Sequence, residues 1–405
     1  MRTSIANAVL IAAAVGLVLV FLVRVGVFSR RPKAEESVSE WAQRIERENR
    51  TGHQFSSALL VRGAGRLWLI DTRSVVPGEH RALLQWLDGA TPGRVVSSQT
   101  YGTSPGVIGR ALLPAKDGDL FILGEAREEP EAYRGWVSRL SADGTVRWQQ
   151  SLGPSGVTGL RTGWVTPDGG LIAIGEQGFQ GWVVRLEADG RVRWQKILPE
   201  LQRLAGLVAV AEDRLLLIGQ IEVSTTGPGR AAVMAVGLDG TTAWLHDFTS
   251  AGRIDLAAAA ALPGGDVVLL GQRATEKEPK LWAARFDPGR RALSWQIEHG
   301  GAGELSAAID VATRPSGELA IVGRVMTAGA ERKLLVLGVD PAGRISWERR
   351  WGGEADYATR IVAGADGGLV VAGSGQGRGQ GRTQALLWHL SATGELRAEQ
   401  VFAAP

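Results

Sequence analysis

Trp347 to Phe402 reads W-E-R-R-W-G-G-E-A-D-Y-A-T-R-I-V-A-G-A-D-G-G-L-V-V-A-G, then a Gly/Arg-rich gap, then A-L-L-W-H-L-S-A-T-G-E-L-R-A-E-Q-V-F. Four short β-prone runs lie inside it, Tyr357 to Ala363, Leu369 to Ala372, Ala385 to Leu390 and Leu396 to Phe402, each separated from the next by turn residues. Short alternating runs with turns between them predict four antiparallel strands joined in order.

The same unit recurs back to Phe55. An apolar run ending in glycine returns at Gly124, Gly175, Gly219, Gly271, Gly323 and Gly373, at intervals of 44 to 52 residues, with Leu67 to Asp71 as an imperfect first copy. A tryptophan marks the fourth strand at Trp148, Trp194, Trp244, Trp295 and Trp347; in the first and last copies Ser97 and Ala398 stand there. Turns such as Ala142-Asp143-Gly144 and Ala188-Asp189-Gly190 precede it. Seven units of four strands predict an all-β fold, a seven-bladed β-propeller, because radial repetition lets each blade bury both faces against its neighbours. The two copies lacking the tryptophan are those that meet when the ring closes. The first blade begins at its inner strand and the last ends at its outer strand, so no blade is shared across the seam.

Composition agrees with this reading. The 405 residues include 55 glycines and 14 tryptophans, a profile that fits turn-rich β structure. Net charge is +3, from 45 basic and 42 acidic residues spread along the chain, which argues against nucleic acid as a partner. The absence of cysteine excludes disulfides, thiolate catalysis and Cys-ligated metal.

Three segments are expected: 1–33, an anchor with a basic flank; 34–54, a juxtamembrane linker; and 55–405, the propeller. Ile5 to Val23 carries no charge and is apolar apart from Asn7. As a helix its 19 residues extend about 28 Å, enough to cross a bilayer once. A cleavable signal peptide is the alternative reading, against which stand the length of the run and the sequence Arg24-Val25-Gly26-Val27-Phe28 that follows it. Ser37 and Glu40 form a capping box, and Val38, Trp41, Ala42 and Ile45 then recur at helical spacing, predicting a short amphipathic helix that ends at Gly52.

The order G-G-x-x-x-D, apolar inner strand, D-G-G-apolar-G, variable gap, D-x-x-G and Trp strand resembles the bacterial seven-bladed β-propeller repeat family. It is also similar to pyrroloquinoline-quinone-like repeats. The resemblance spans roughly Thr100 to Phe402. It implies an exported, membrane-tethered interaction domain: a single-pass protein of the bacterial inner membrane with a periplasmic propeller. Arg24, Arg30, Arg31 and Lys33 pull the other way, since the positive-inside rule alone would place the propeller in the cytoplasm.

Loop lengths point to a working face. First-to-second and third-to-fourth connections are tight, as at Pro167-Asp168-Gly169-Gly170, whereas Glu125–Gly135, Ile221–Arg230, Arg273–Lys280 and Ser374–Gln384 differ from blade to blade. The variable connections emerge together on one face, where binding is expected. Its candidate contact residues are Tyr101, Arg253, His299, Trp351, Glu354, Asp356, Tyr357, Arg378 and Arg382. For Trp351 and Tyr357 the competing reading is packing between blades. On the axis, Ala111, Thr162, Gly206, Ala258, Asp310 and Arg360 fall at one equivalent position. Asp310 and Arg360, in neighbouring blades, are expected to pair as a salt bridge or, alternatively, to form a polar channel site.

No catalytic pattern stands out. The five histidines are isolated, there is no H-E-x-x-H and no G-x-S-x-G, and each D-G turn holds a single Asp where a calcium loop needs alternating acids. Quinone dehydrogenases of similar repeat use eight blades and vicinal cysteines. No cofactor or metal is therefore expected. The expected function is a non-enzymatic scaffold that binds other envelope or membrane proteins through the variable-loop face. The alternative is an enzyme, or a small-molecule or glycan binder, working in the axial funnel.

Overall fold

The computed structural model describes residues 54–402, apart from 63–65, 77–78, 88–93, 103–105, 130–131, 157, 179, 222–228, 249–252, 275–277, 328–330, 365 and 377–382. The expected transmembrane and amphipathic helices, and with them the first two predicted segments, lie outside the described residues. Within them, 28 strands form seven four-stranded antiparallel sheets, each in sequential strand order. Blade 1 spans 54–101, blade 2 107–156, blade 3 158–198, blade 4 203–247, blade 5 254–299, blade 6 304–351 and blade 7 357–402. Every blade is one contiguous piece of chain, as the sequence predicts. The inner strand Gln54–Arg62 of blade 1 packs beside the inner strand Tyr357–Ala363 of blade 7, so the ring closes by side-chain packing and without exchange of a strand.

The core divides into seven apolar clusters, one for each junction between neighbouring blades. The closing junction joins Leu69 and Leu87 of blade 1 to Ala372, Ala385, Leu387 and Phe402 of blade 7. Trp182, Trp282 and Trp388 on third strands are fully buried. Complete burial of so large a side chain contributes on the order of 2–3 kcal/mol.

The repeated glycines have a steric origin. In each blade the inner strand carries a bulge, and in blades 2 to 7 the glycine sits opposite it in mid-strand, as Gly175 pairs with Leu160 while Ile174 pairs with Thr162; in blade 1 Asp71 stands there. A Cβ on Gly175 would lie 1.8 Å from the carbonyl oxygen of Gly159, and one on Gly124 1.8 Å from that of Ile108. Gly219, Gly271, Gly323 and Gly373 face the equivalent carbonyl at 2.2, 2.2, 2.5 and 2.0 Å. The glycine read in the sequence as the end of a strand is thus the point where two backbones approach most closely.

The fourth-strand tryptophans tie each blade to the next. Trp148 Nε1 donates to Ala188 O at 3.0 Å, Trp194 Nε1 to Leu238 O at 3.0 Å and Trp295 Nε1 to Pro341 O at 3.2 Å. Each acceptor lies in the third-to-fourth turn of the following blade. An arginine of the preceding blade reaches the same carbonyls: Arg139 Nη1 to Ala188 O at 2.7 Å, Arg185 Nη1 to Leu238 O at 2.7 Å and Arg285 Nη1 to Pro341 O at 3.3 Å. Blade 1 lacks the tryptophan at Ser97, yet Trp86, its direct cross-strand partner, replaces it. A Cβ on Gly144 of blade 2 would meet Trp86 at 2.6 Å. The missing tryptophan has moved one strand inward and still packs on the next blade's turn.

The turn aspartates complete this face. Hydrogen bonds hold their carboxyls below the usual range: from Ser141 to Asp143, from Thr166 to Asp168, from the Arg191 N–H to Asp189, from Thr241 to Asp239 and from the Arg344 N–H to Asp340. A folded-state pKa below the unfolded value adds stability that is present above the ordinary carboxylate pKa and lost as pH falls through the depressed one. Thermal melts from pH 6 to pH 2 should therefore fall only at the acid end. Asp239→Asn keeps the acceptor but removes the titration, and its profile should be shallower there.

Candidate functional site: the axial mouth and the variable-loop face

One residue beyond the repeat glycine, the second strand of each of blades 2 to 7 carries a polar side chain. These are Glu125, Glu176, Gln220, Gln272, Arg324 and Ser374, paired in register with Ile108, Gly159, Arg203, Asp255, Ala307 and Tyr357 of the inner strands. The bulged inner-strand residues Arg110 and Arg161 complete the level. Opposite charges alternate along it: Arg110 Nε is 3.2 Å from Glu125 Oε1, Arg161 Nη2 is 3.0 Å from Glu176 Oε1, and Arg203 Nη1 is 3.7 Å from Asp255 Oδ1. Gln220 Nε2 donates to Asp255 Oδ1 at 3.0 Å and to Ile254 O at 2.8 Å, tying blade 4 to blade 5. Gln272 Nε2 reaches Ser306 O at 3.2 Å between blades 5 and 6.

The axial position chosen from the sequence lies on the neighbouring level. Ala111, Thr162, Gly206, Ala258, Asp310 and Arg360 all pair with the residue preceding the repeat glycine, so the alignment placed them at one register. Arg360 Nη1 lies 3.8 Å from Asp310 Oδ1, and the Ile361 N–H donates to Asp310 Oδ2 at 2.9 Å. Burial pushes the Asp310 carboxyl up, against the pull of Arg360. Its contribution to stability has the opposite sign to that of the turn aspartates, fading as pH rises through the raised value.

The loop-face residues differ in their surroundings. Tyr101 is buried at 3% exposure and its hydroxyl donates to Gly144 O at 2.9 Å, so its surface in this fold is an interblade one. Trp351 likewise packs between blades, edge-on to Trp388 with ring centroids 6.4 Å apart. His299 lies beside an ion network: its Nε2 is 3.3 Å from Glu348 Oε2, Glu348 Oε1 is 2.5 Å from Arg350 Nε, and Arg350 grips Glu304 at 2.5 and 3.2 Å. Hydrogen bonds from Arg350 and then from the Gly301 N–H hold the Glu304 carboxyl below its usual range.

Asp356 accepts the Gly353 N–H at 2.7 Å, and burial, with Glu399 adding to it, pushes its carboxyl up. Tyr357 lies under the Arg332 guanidinium, 4.8 Å from its ring centre, and its hydroxyl accepts from Arg332. Arg253 and Glu354 are exposed. Arg378 and Arg382 lie outside the described residues.

Sequence reading missed the charged axial level, although a signal for it was present. Each repeat glycine is followed by a polar residue, G-E, G-E, G-Q, G-Q, G-R and G-S in order. Reading the glycine as a strand end placed that residue in a loop; opposite a bulge, it becomes the next rung of the ladder. Chemically the level offers paired guanidinium and carboxylate groups. Among the described residues no group of three or more His, Asp or Glu side chains could hold a metal ion.

No protein-family model matches this chain, and no curated protein does. Solved structures do. Puromycin hydrolase is similar with a TM-score of 0.54 and 13% identity, over 86% of this chain and 55% of the hydrolase, so the chain spans about half of that enzyme's length. The β-propeller domain of the trilobed protease from Pyrococcus furiosus is similar with a TM-score of 0.50 and 10% identity, over 84% of this chain and 96% of that domain. Drosophila plexin A, solved in complex with semaphorin 1b, is similar with a TM-score of 0.50 and 9% identity, over 81% and 84%. Identities this low carry the propeller fold alone.

Proposed function

We propose that this protein is a membrane-anchored binding module of the cell envelope that docks other envelope proteins through its variable-loop face. One observation carries the reading: the two faces are built differently. On the tight-turn face, tryptophan and arginine donors reach the same carbonyls of the next blade, so its polar groups are committed to holding the ring. The opposite face gathers the connections that vary in length and sequence, with Arg253 and Glu354 exposed on it. A rigid ring that presents variable loops on one side is suited to selecting a partner. The apolar, uncharged run Ile5 to Val23 supplies the tether.

The test uses the full chain in its native membrane. Charge reversal on the loop face, Arg253→Glu with Glu354→Lys, should deplete specific co-purifying envelope proteins. The same reversal on the turn face, at Arg191 and Arg344, whose side chains are 81% and 82% exposed, should leave them bound. Equal retention by both variants would refute the reading.

A further inference from the structure

The fourth strand of blade 1, Val95–Tyr101, differs from its counterparts in what covers it. Its residues from Val95 to Thr100 are all exposed, Val95 at 39% and Val96 at 64%, and only Tyr101 is buried. In blades 2 to 7 the exposed residues of that strand are interspersed with partly buried ones. The origin lies in the displaced tryptophan. Trp86 of the third strand and Tyr101 cover Gly144 of blade 2, which leaves the rest of the fourth strand outside that junction. On the other side, blade 7 has Ala398 where the repeat would place an indole.

The strand is nonetheless fixed in place. It is paired in register with the third strand from Leu87↔Val95 to Ala82↔Tyr101. The Tyr101 hydroxyl donates to Gly144 O at 2.9 Å, and just beyond the strand Arg81 Nη1 donates to Gly102 O at 2.5 Å. As the last strand of its sheet it turns half of its N–H and C=O groups outward, and among the described residues no strand pairs with that edge.

Edges of this kind are ordinarily guarded by charge. Blades 2 to 7 follow the rule, with Arg147, Arg193, Asp247, Glu298, Glu348 and Arg397 in their fourth strands. Blade 1 does not: V-V-S-S-Q-T-Y holds neither charge nor proline. We propose that this edge is the contact between two copies of the chain, paired antiparallel across a two-fold axis near Ser98. The sequence is self-complementary in that arrangement. Val96 faces Thr100, Ser97 faces Gln99 and Ser98 faces its own copy, so β-branched and hydroxyl side chains meet their like and no charges are opposed. Arg94, the flanking cation, is carried to opposite ends of the pair, roughly 25 Å from its copy. Blade 3 gives the contrast: the charges of its fourth strand, Arg193 and Lys196, are both positive, and a second copy there is repelled.

The pairing also suits the ring. Twist accumulates by roughly 20–25° per strand, so a fourth strand lies roughly 60–75° from the inner strand that lines the axis. A two-fold normal to the sheet at that edge therefore runs closer to the ring axis than across it, and both copies turn their loop faces the same way. The inference goes beyond docking through the loops and does not depend on it.

The chain has no cysteine, so Ser98→Cys supplies its single thiol. Full-length Ser98→Cys in mild detergent, treated with a short bismaleimide, should give a covalent dimer at dilutions where Lys196→Cys, on the blade 3 edge, stays monomeric. In sedimentation the native protein should show a concentration-dependent equilibrium between monomer and dimer. Ser98→Lys and Ser98→Glu should each weaken it by about tenfold or more, with melting temperature unchanged because the side chain is exposed. An equimolar mixture of those two variants should restore the dimer. Restoration requires the two charges to meet across one interface, which a folding defect does not supply. A native protein that stays monomeric, equal cross-linking of the two cysteine variants, or a mixture no more dimeric than its components would each overturn the proposal. A monomer whose Ser98→Cys thiol is shielded from a monofunctional maleimide would also overturn it, and would assign the edge to another segment of the same chain.

Discussion

Gly175→Ala should cost about 3 kcal/mol of folding stability, at the upper end of what overpacking usually costs. Two effects oppose each other at this position. In the middle of a strand, alanine is ordinarily better than glycine by roughly 0.5–1 kcal/mol, because glycine loses more conformational freedom on folding. The added Cβ would, however, sit 1.8 Å from the carbonyl oxygen of Gly159 and 2.9 Å from the Cα of Leu160. Both neighbours are backbone, and the second strand is held from its other side by the third, with Gly175 opposite Trp182, so neither can turn away as a flexible side chain would. The steric cost wins.

Gly206→Ala provides the contrast. Its nearest atoms, the Ala259 N and Cβ, would lie at 3.5 and 3.6 Å, ordinary contact distances, and Ala111 and Ala258 already carry the methyl at the equivalent place. That substitution should be neutral or stabilise by up to about 1 kcal/mol. Denaturant titrations of the two variants read the difference directly. Similar losses in both would mean that glycine is kept here for some reason other than close approach of the strands.

The contrast also marks how far the sequence could be read. The recurring glycine located the second strands of blades 2 to 7 and the recurring tryptophan the fourth strands of blades 2 to 6, because each answers a constraint that repeats with the blade. Blade number, strand order and the absence of a shared blade followed from those two marks. The physical meaning of the glycine did not follow, since a strand end and a bulge-facing rung leave the same letter in the chain. That ambiguity concealed Arg324 and its neighbours while the adjacent level, with Asp310 and Arg360, was aligned in register. Trp86 was concealed for a related reason: packing on the next blade's turn requires an indole at one place in space, and a cross-strand neighbour can supply it from a different position in the repeat. Tyr101, chosen as a loop-face aromatic, turned out to work beside Trp86 on the same turn. The third-strand arginines were legible too, as the recurring R-L, R-L and R-F of Arg139, Arg185 and Arg285, but an arginine near a turn reads as a solvated charge until its burial is known, and Arg139 and Arg185 are buried while Arg285 is partly so.

Arg139→Leu tests that last point, with an expected loss of about 3 kcal/mol. The side chain is only 9% exposed, and its partner Asp119 only 3%. Arg139 Nε lies 2.9 Å from Asp119 Oδ2, Nη2 2.5 Å from Asp117 Oδ2, and Nη1 2.7 Å from Ala188 O in the next blade, while the guanidinium covers Phe121 at 5.2 Å. Leucine fills the space over Phe121 but leaves Asp119 buried with Arg147 as its remaining ion-pair partner, an arginine that is itself 55% exposed. The cost is therefore that of a stranded buried charge more than that of a lost contact. Replacing Asp119 by leucine as well should recover part of the stability, because removing both charges of a buried pair costs less than removing one. Arg191→Leu breaks a pair of similar length, 2.8 Å to Asp189, but one that is 81% and 56% exposed, and should change stability by less than about 1 kcal/mol. Hydrogen exchange at residues 187–191 should quicken in Arg139→Leu, since the carbonyl of Ala188 loses one of its two donors and the turn is then held to blade 2 by Trp148 and by Gln150 at Gly190 O. A double-mutant cycle without coupling between Arg139 and Asp119 would show that water already screens this face, and the tight-turn side would then be no more committed to holding the ring than the loops opposite.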